Sequence, residues 1–151
     1  TQLGIHTDGT FAEFVKAPAA LVHILPDNLS FEEGAFIEPV SCVVHAAKAL
    51  DAKLGSSIVI LGDGLGVLHA RLAVLRACAP VIVFGHNRKR LQIAKDMGAD
   101  YVFLSDDIAD PVAKVMELTG GRGADYAIEP LLCCAVAGPF PLLASLAKMK
   151  K

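Results

Sequence analysis

Hydrophobic and polar positions change their pattern near residue 40. Before it the apolar residues come in short pieces: Phe11-Ala-Glu-Phe-Val-Lys16 alternates loosely, and Leu21-Val-His-Ile-Leu25 is a continuous run that stops at Pro26, so both predict strands. Ser30-Phe-Glu-Glu33 has the spacing of a capping box and predicts a short helix that Pro39 interrupts, with a second helix from about Val40 to Leu50. Past residue 55 the pattern becomes strand and helix in alternation. Ile58–Leu61, Val81–Phe84, Tyr101–Leu104 and Tyr126–Ile128 are short apolar runs of the kind covered on both faces. Between them, Leu65–Ala77 is apolar nearly all round and predicts a deeply buried helix. Arg88–Met97 is amphipathic and stops at Gly98, and Ile108–Leu118 ends before Gly120-Gly121. Strands alternating with helices imply parallel pairing through right-handed crossovers. The tail Lys148-Met-Lys-Lys151 either closes a final helix or is solvated.

Composition narrows the classes. The 151 residues are 54% hydrophobic and 20% charged, with mean hydropathy +0.51, enough apolar material for a packed core. Fourteen basic residues against sixteen acidic give a net charge of −2 and a pI near 6.2, with no excess to neutralise a nucleic-acid backbone. No apolar run reaches the roughly 18 residues of a membrane span, and none reads as a signal peptide. The first residue is Thr1, so processing or truncation is expected to have removed the start. Cys42, Cys78, Cys133 and Cys134 include no C-x-x-C pair and read as reduced, mostly buried thiols of a cytoplasmic protein.

The candidate chemistry centres on Ile58-Val-Ile-Leu-Gly62-Asp63-Gly64-Leu65-Gly66: a buried strand, a glycine-rich bend and a helix start. Such a bend lets main-chain N–H groups approach a diphosphate, and the helix start adds partial positive charge. The spacing is G-x-G-x-G, one residue shorter than G-x-G-x-x-G; a tight turn without a ligand is the alternative. An NAD site places Asp or Glu after the second strand, about 20 residues beyond the first glycine. Here Gly85 stands there, followed by His86-Asn87-Arg88-Lys89-Arg90, and the missing carboxylate with a cationic cluster leans toward the 2′-phosphate of NADP; a solvated helix start capped by Asn87 is the competing reading. His45 and His69 lie in apolar helices and read as core histidines. His6 lies in a loop, and Glu32-Glu33 and Asp106-Asp107 read as solvated faces.

These motifs together resemble the medium-chain dehydrogenase/reductase superfamily, in particular its zinc-dependent alcohol, sorbitol and threonine dehydrogenase branch. The resemblance rests on Asp8-Gly-Thr-Phe-Ala-Glu-Phe-Val15, Leu25-Pro-Asp-Asn-Leu-Ser-Phe-Glu-Glu33, Glu38-Pro39 with His45-Ala46, Gly62-Asp-Gly64, Arg90 to Asp100, and Leu118-Thr-Gly-Gly-Arg-Gly-Ala-Asp125. It implies the end of a GroES-like β domain over 1–40, followed over 41–151 by an incomplete Rossmann-type, doubly wound parallel sheet that binds NAD(P). It implies an oxidoreductase that moves hydride between a small alcohol or carbonyl substrate and NAD(P), with zinc as Lewis acid. It places Glu38 at that zinc and Cys42 beside the nicotinamide. It gives Gly62, Asp63, Gly64, Leu65 and Gly66 to the diphosphate, and Gly85, His86, Asn87 and Arg88 to the adenosine ribose. It also implies a homo-oligomer at full length. The chain departs from the pattern in lacking the upstream Cys and His zinc ligands and the structural zinc loop, in its shortened bend, and in Pro130 after Glu129. It therefore reads as a central fragment, inactive alone. A methyltransferase-like Rossmann domain and a non-catalytic truncated dinucleotide-binding module are the alternatives.

Overall fold

The computed structural model describes residues 3–130 and, for the backbone, 134–137. Two compact units divide the chain, Thr1–Phe36 and Ile37–Lys151.

The first unit is mostly irregular. A tight turn carries a hydrogen bond from Gly4 N to Thr7 O (2.9 Å), a single 3-10 turn spans Ala19–Leu21, and one short helix, α1 (Phe31–Ala35), follows. The capping box forms as the spacing predicts: Ser30 Oγ accepts from Glu33 N at 3.2 Å, and Glu33 Oε2 accepts from Ser30 N at 2.8 Å. Those bonds hold the Glu33 carboxyl below its ordinary pKa, so Glu33 is a cap rather than a bare solvated acid. The two predicted strands, Phe11–Lys16 and Leu21–Leu25, are not strands, because neither has a neighbour to complete its ladder. No described residue of this unit is buried; Phe11, Phe14, Ile24 and Phe31 are fully or largely exposed.

The second unit begins with α2 (Ile37–Leu50). The helix break falls at Phe36, ahead of Pro39, which α2 accommodates in its first turn, where its missing N–H has no intrahelical role. Then come β1 (Ile58–Leu61), α3 (Gly66–Leu75), β2 (Val81–Gly85), α4 (Arg88–Asp96), β3 (Tyr101–Leu104), α5 (Pro111–Leu118), β4 (Tyr126–Glu129) and β5 (Cys134–Ala137). The predicted helix start at Ile108 moves to Pro111. Ser105–Asp107 forms a 3-10 turn, Asp110 accepts from Ala113 N at 3.0 Å as the cap, and Pro111 takes the first helical position. Gly98 follows α4 at φ +106°, a left-handed terminator that its residue type allows.

The sheet order is β3-β2-β1-β4-β5, with the first four strands parallel. β5, which the sequence did not announce, pairs antiparallel with β4. β1 occupies the centre: Ile60 registers with Val83 on one side and Ile128 on the other. The period of two along each strand sends alternate residues to opposite faces, and both faces are covered. Ile58, Ile60, Val81 and Val83 pack with Val67, Ala70, Ala73, Leu91 and Ala94 of α3 and α4. Val59, Ile82, Phe84 and Ala127 pack with Val115 of α5. Each such side chain taken fully from water is worth about 1.5–3 kcal/mol. β3, at the sheet edge, is only partly covered, and Leu75 of α3 is exposed despite the apolar run it ends. The lower ends of β1 and β4 are tied together: Ser57 donates to Asp125 Oδ2 from its amide (2.8 Å) and its hydroxyl (2.7 Å), which lowers the Asp125 pKa.

Cys78 is buried and burial pushes its thiol pKa up. Cys42 is exposed, against expectation, because it falls on the outward side of α2. His69 is buried and burial lowers its pKa, so it is a neutral core histidine, whereas His45 is exposed although its helix is apolar. Cys133, the Cys134 side chain and the Lys148–Lys151 tail lie outside the described residues.

Candidate functional site

The sheet changes direction of growth at β1: the chain runs outward to β2 and β3 on one side and returns to β4 on the other. In an open parallel sheet such a switch point opens a crevice at the carboxyl ends of the strands, and the glycine bend follows β1 there.

Each glycine of the bend has its own reason. Gly62 continues the ladder by donating from its amide to Phe84 O at 2.7 Å, then turns the chain at φ +128°, a conformation that side-chain-bearing residues rarely adopt. Gly66 opens α3 against the sheet, where a Cβ would stand 3.1 Å from Ile60 Cγ2. Gly64 answers to neither demand. Its φ is outside the left-handed region, and a Cβ there would have no atom of another described residue within 4 Å beyond its chain neighbours. Leu65 is the N-cap of α3 and makes no side-chain cap bond, so the helix start has no acceptor from the side chain of its capping residue. Pro130, buried after β4, flanks the bend, 3.8 Å from where a Cβ on Gly62 or on Gly66 would stand; the Gly64 side stays open.

Asp63 points away from that opening, toward the end of β2. It is 8% exposed. Its Oδ2 accepts from His86 N at 2.8 Å and from Asn87 N, and its Oδ1 faces Arg90 Nη1 at 3.7 Å. Gly85 makes this approach possible: a Cβ on it would stand 2.6 Å from both Asp63 Cβ and Oδ2. Asn87 caps α4, its Oδ1 accepting from Lys89 N (3.0 Å) and Arg90 N (3.2 Å). Two further members of the cluster are met by acids. His86 Nδ1 lies 3.4 Å from Asp106 and Arg88 Nη2 lies 3.1 Å from Asp107, so this acidic pair is not simply a solvated face. The structure thus brings the two predicted segments, Gly62–Gly66 and Gly85–Arg88, together through Asp63. Its carboxylate contact, the Arg90 contact and the Pro130 flank were not read from sequence; the one signal for the first was a glycine at the end of an otherwise apolar strand.

Glu38 and Cys42 meet each other one turn apart on α2, with Cys42 Sγ donating to Glu38 Oε1 at 3.3 Å. Both are exposed. Among the described residues no group of three or more His, Cys, Asp or Glu could hold a metal ion, so the donors present do not fit a zinc site. A dinucleotide fits better: the bend offers open main chain, positive φ where glycine requires it, and a helix start directed at it.

A protein-family profile described as "Zinc-binding dehydrogenase" matches residues 64–134. The chain is similar to sorbitol dehydrogenase of Ovis aries, 35% identical over 124 residues, or 81% of this chain and 35% of that enzyme. It is similar to D-xylulose reductase of Saccharomyces cerevisiae, 34% identical over 136 residues, or 87% of this chain and 37% of that enzyme. Among solved structures it resembles a protein of Sinorhizobium meliloti 1021, assigned as a zinc-binding dehydrogenase and bound to NADP. That match has a TM-score of 0.71 and 33% identity, and covers 84% of this chain and 38% of that one. The chain therefore spans little more than a third of the curated relatives it matches.

Proposed function

The chain belongs to the zinc-dependent alcohol and sorbitol dehydrogenase-like branch of the medium-chain dehydrogenase/reductase family, and from that premise we propose that Ile37–Lys151 is the dinucleotide-binding part of an NAD(P)-dependent oxidoreductase. The full-length enzyme would act on a small alcohol or carbonyl compound. Thr1–Phe36 would be the end of its GroES-like domain. One observation carries the reading: Gly64 is a glycine that neither backbone conformation nor packing requires, at the open side of a strand–bend–helix crevice. Main-chain amides there can approach a diphosphate closely because no side chain intervenes.

When bound, the nicotinamide group would supply the hydride chemistry. This chain's own residues contribute positioning. Gly62 and Gly66 set the path of the main chain, Gly64 leaves it bare, and the start of α3 favours negative charge. Glu38 and Cys42 form a carboxylate–thiol pair that would face the reacting end; two donors do not hold zinc usefully, so the isolated chain would turn over no alcohol. A buried thiol such as Cys78 suits a reducing compartment such as the cytoplasm, and pairing of copies would belong to the full-length enzyme. No helix among the described residues is long and apolar enough to cross a membrane. The expected preference for NADP has less support than the dinucleotide itself, since His86, Arg88 and Arg90 each face a carboxylate.

The test is calorimetric titration of the 151-residue chain with ADP-ribose. Binding to the parent should weaken at least about tenfold in Gly64→Ala, where a methyl intrudes on the ligand, while stability stays within about 0.5 kcal/mol because that methyl meets no protein atom. Absence of binding by the parent, or equal binding by the variant, would remove the dinucleotide from this crevice.

A further inference from the structure

The sequence lacks a carboxylate at position 85, where an NAD site would carry one, yet the folded chain has a carboxylate in that place. A Cβ built on Gly85 would come within 2.6 Å of Asp63 Oδ2, so the direction a side chain at 85 would take is occupied by the acid of the glycine bend itself. We propose that Asp63 is the specificity-determining residue of the cofactor site: it takes over the role of the absent acid at the end of β2 and selects NAD(H) over NADP(H). This rests on the dinucleotide reading above.

Three observations support the assignment. The Asp63 carboxylate is held firmly, since Oδ2 accepts from the amides of both His86 and Asn87. Among the described residues its other oxygen has only the longer Arg90 contact, 3.7 Å, which leaves Oδ1 able to accept from a ribose hydroxyl. The main-chain donors that could otherwise cradle a 2′-phosphate are engaged already. Asp63 takes the amides of His86 and Asn87, and the Asn87 side chain takes those of Lys89 and Arg90. His86 and Arg88 face Asp106 and Asp107. A phosphate there would meet a fixed, largely buried carboxylate, and like charges brought together in such a site repel. Gly85 is then more than an absent acid: it is the space through which Asp63 reaches β2.

The probes are ADP-ribose and 2′-phospho-ADP-ribose, titrated separately into the 151-residue chain. ADP-ribose should bind at least about tenfold more tightly. Asp63→Asn keeps the shape and an acceptor oxygen but removes the charge, so it should narrow that ratio at least about fivefold, mainly by tightening the 2′-phosphorylated ligand. Equal or tighter binding of 2′-phospho-ADP-ribose by the parent chain would overturn the assignment while leaving the dinucleotide reading intact. A ratio unchanged in Asp63→Asn would likewise overturn it. Binding of neither ligand would overturn both. Far-UV circular dichroism checks that the variant is folded. If it is not, Gly85→Ala replaces it, because the added methyl must push the Asp63 carboxylate aside, and an unchanged ratio there would refute the proposal as well.

Discussion

Thr1–Phe36 and Ile37–Lys151 are built from similar material and stabilised in opposite ways. In the first, Phe11, Phe14, Ile24 and Phe31 stand in solvent and no described residue is buried. In the second, Ile58, Val59, Ile60, Val81, Ile82 and Val83 are almost wholly withdrawn from water between helices on both faces of one sheet. The difference lies in what each segment can find to bury against. A parallel strand gains most from its apolar residues when it has neighbouring strands and covering layers, and the second unit supplies these for β1 and β2. The first supplies short apolar runs with no ladder partner, and its one durable local feature is a capping box that needs nothing beyond four consecutive residues.

The largest effect should come from cutting into the buried sheet. Ile60→Ala should cost about 2–5 kcal/mol by urea denaturation, whereas Phe14→Ala, whose ring is 90% exposed, should change stability by less than about 0.5 kcal/mol. Comparable losses from the two would erase the contrast between the units.

Acid should act next, and through the second unit. Burial lowers the pKa of His69 in the fold below its ordinary value of 6.5, so protonation favours the unfolded chain. The stability conferred by the neutral imidazole is complete above that value and is lost as the pH falls below it. The urea midpoint should therefore drop between pH 7 and pH 5, and His69→Gln should flatten that part of the profile. A midpoint that is level in the parent chain would show that His69 charges without penalty.

The smallest effect belongs to the first unit. Ser30→Ala removes the bond that Ser30 Oγ accepts from Glu33 N and the one it donates to Glu33 Oε2, leaving only the amide half of the capping box. It should abolish local order in α1, seen as raised amide exchange at Glu33 and Gly34, with no shift in the urea midpoint of the sheet. A shifted midpoint would couple α1 to the core.

Much of the second unit was legible because its signals are local and repeated. Four apolar runs mark β1 to β4 within a residue or two, Asn87 and Gly98 bound α4, and three glycines announce the bend. Fine boundaries depended on competition that periodicity does not register: Asp110 with Pro111 outweighed the apolar Ile108 as a helix start. Residue type misjudged burial where it depends on which way a helix faces, as at Cys42 and His45. The pairing of β5 beside β4 was absent from the reading altogether.

By itself the sequence determined the alternation of β1 to β4 with the helices between them, the place of the glycine bend and the family, since these follow from spacing along the chain. Only the tertiary structure decided that Asp63 fills the direction vacated by Gly85, that Pro130 flanks the bend, and that His86 and Arg88 face Asp106 and Asp107. These pairs are separated by some twenty to seventy residues, and their energies depend on distances of a few ångströms that no spacing along the chain records.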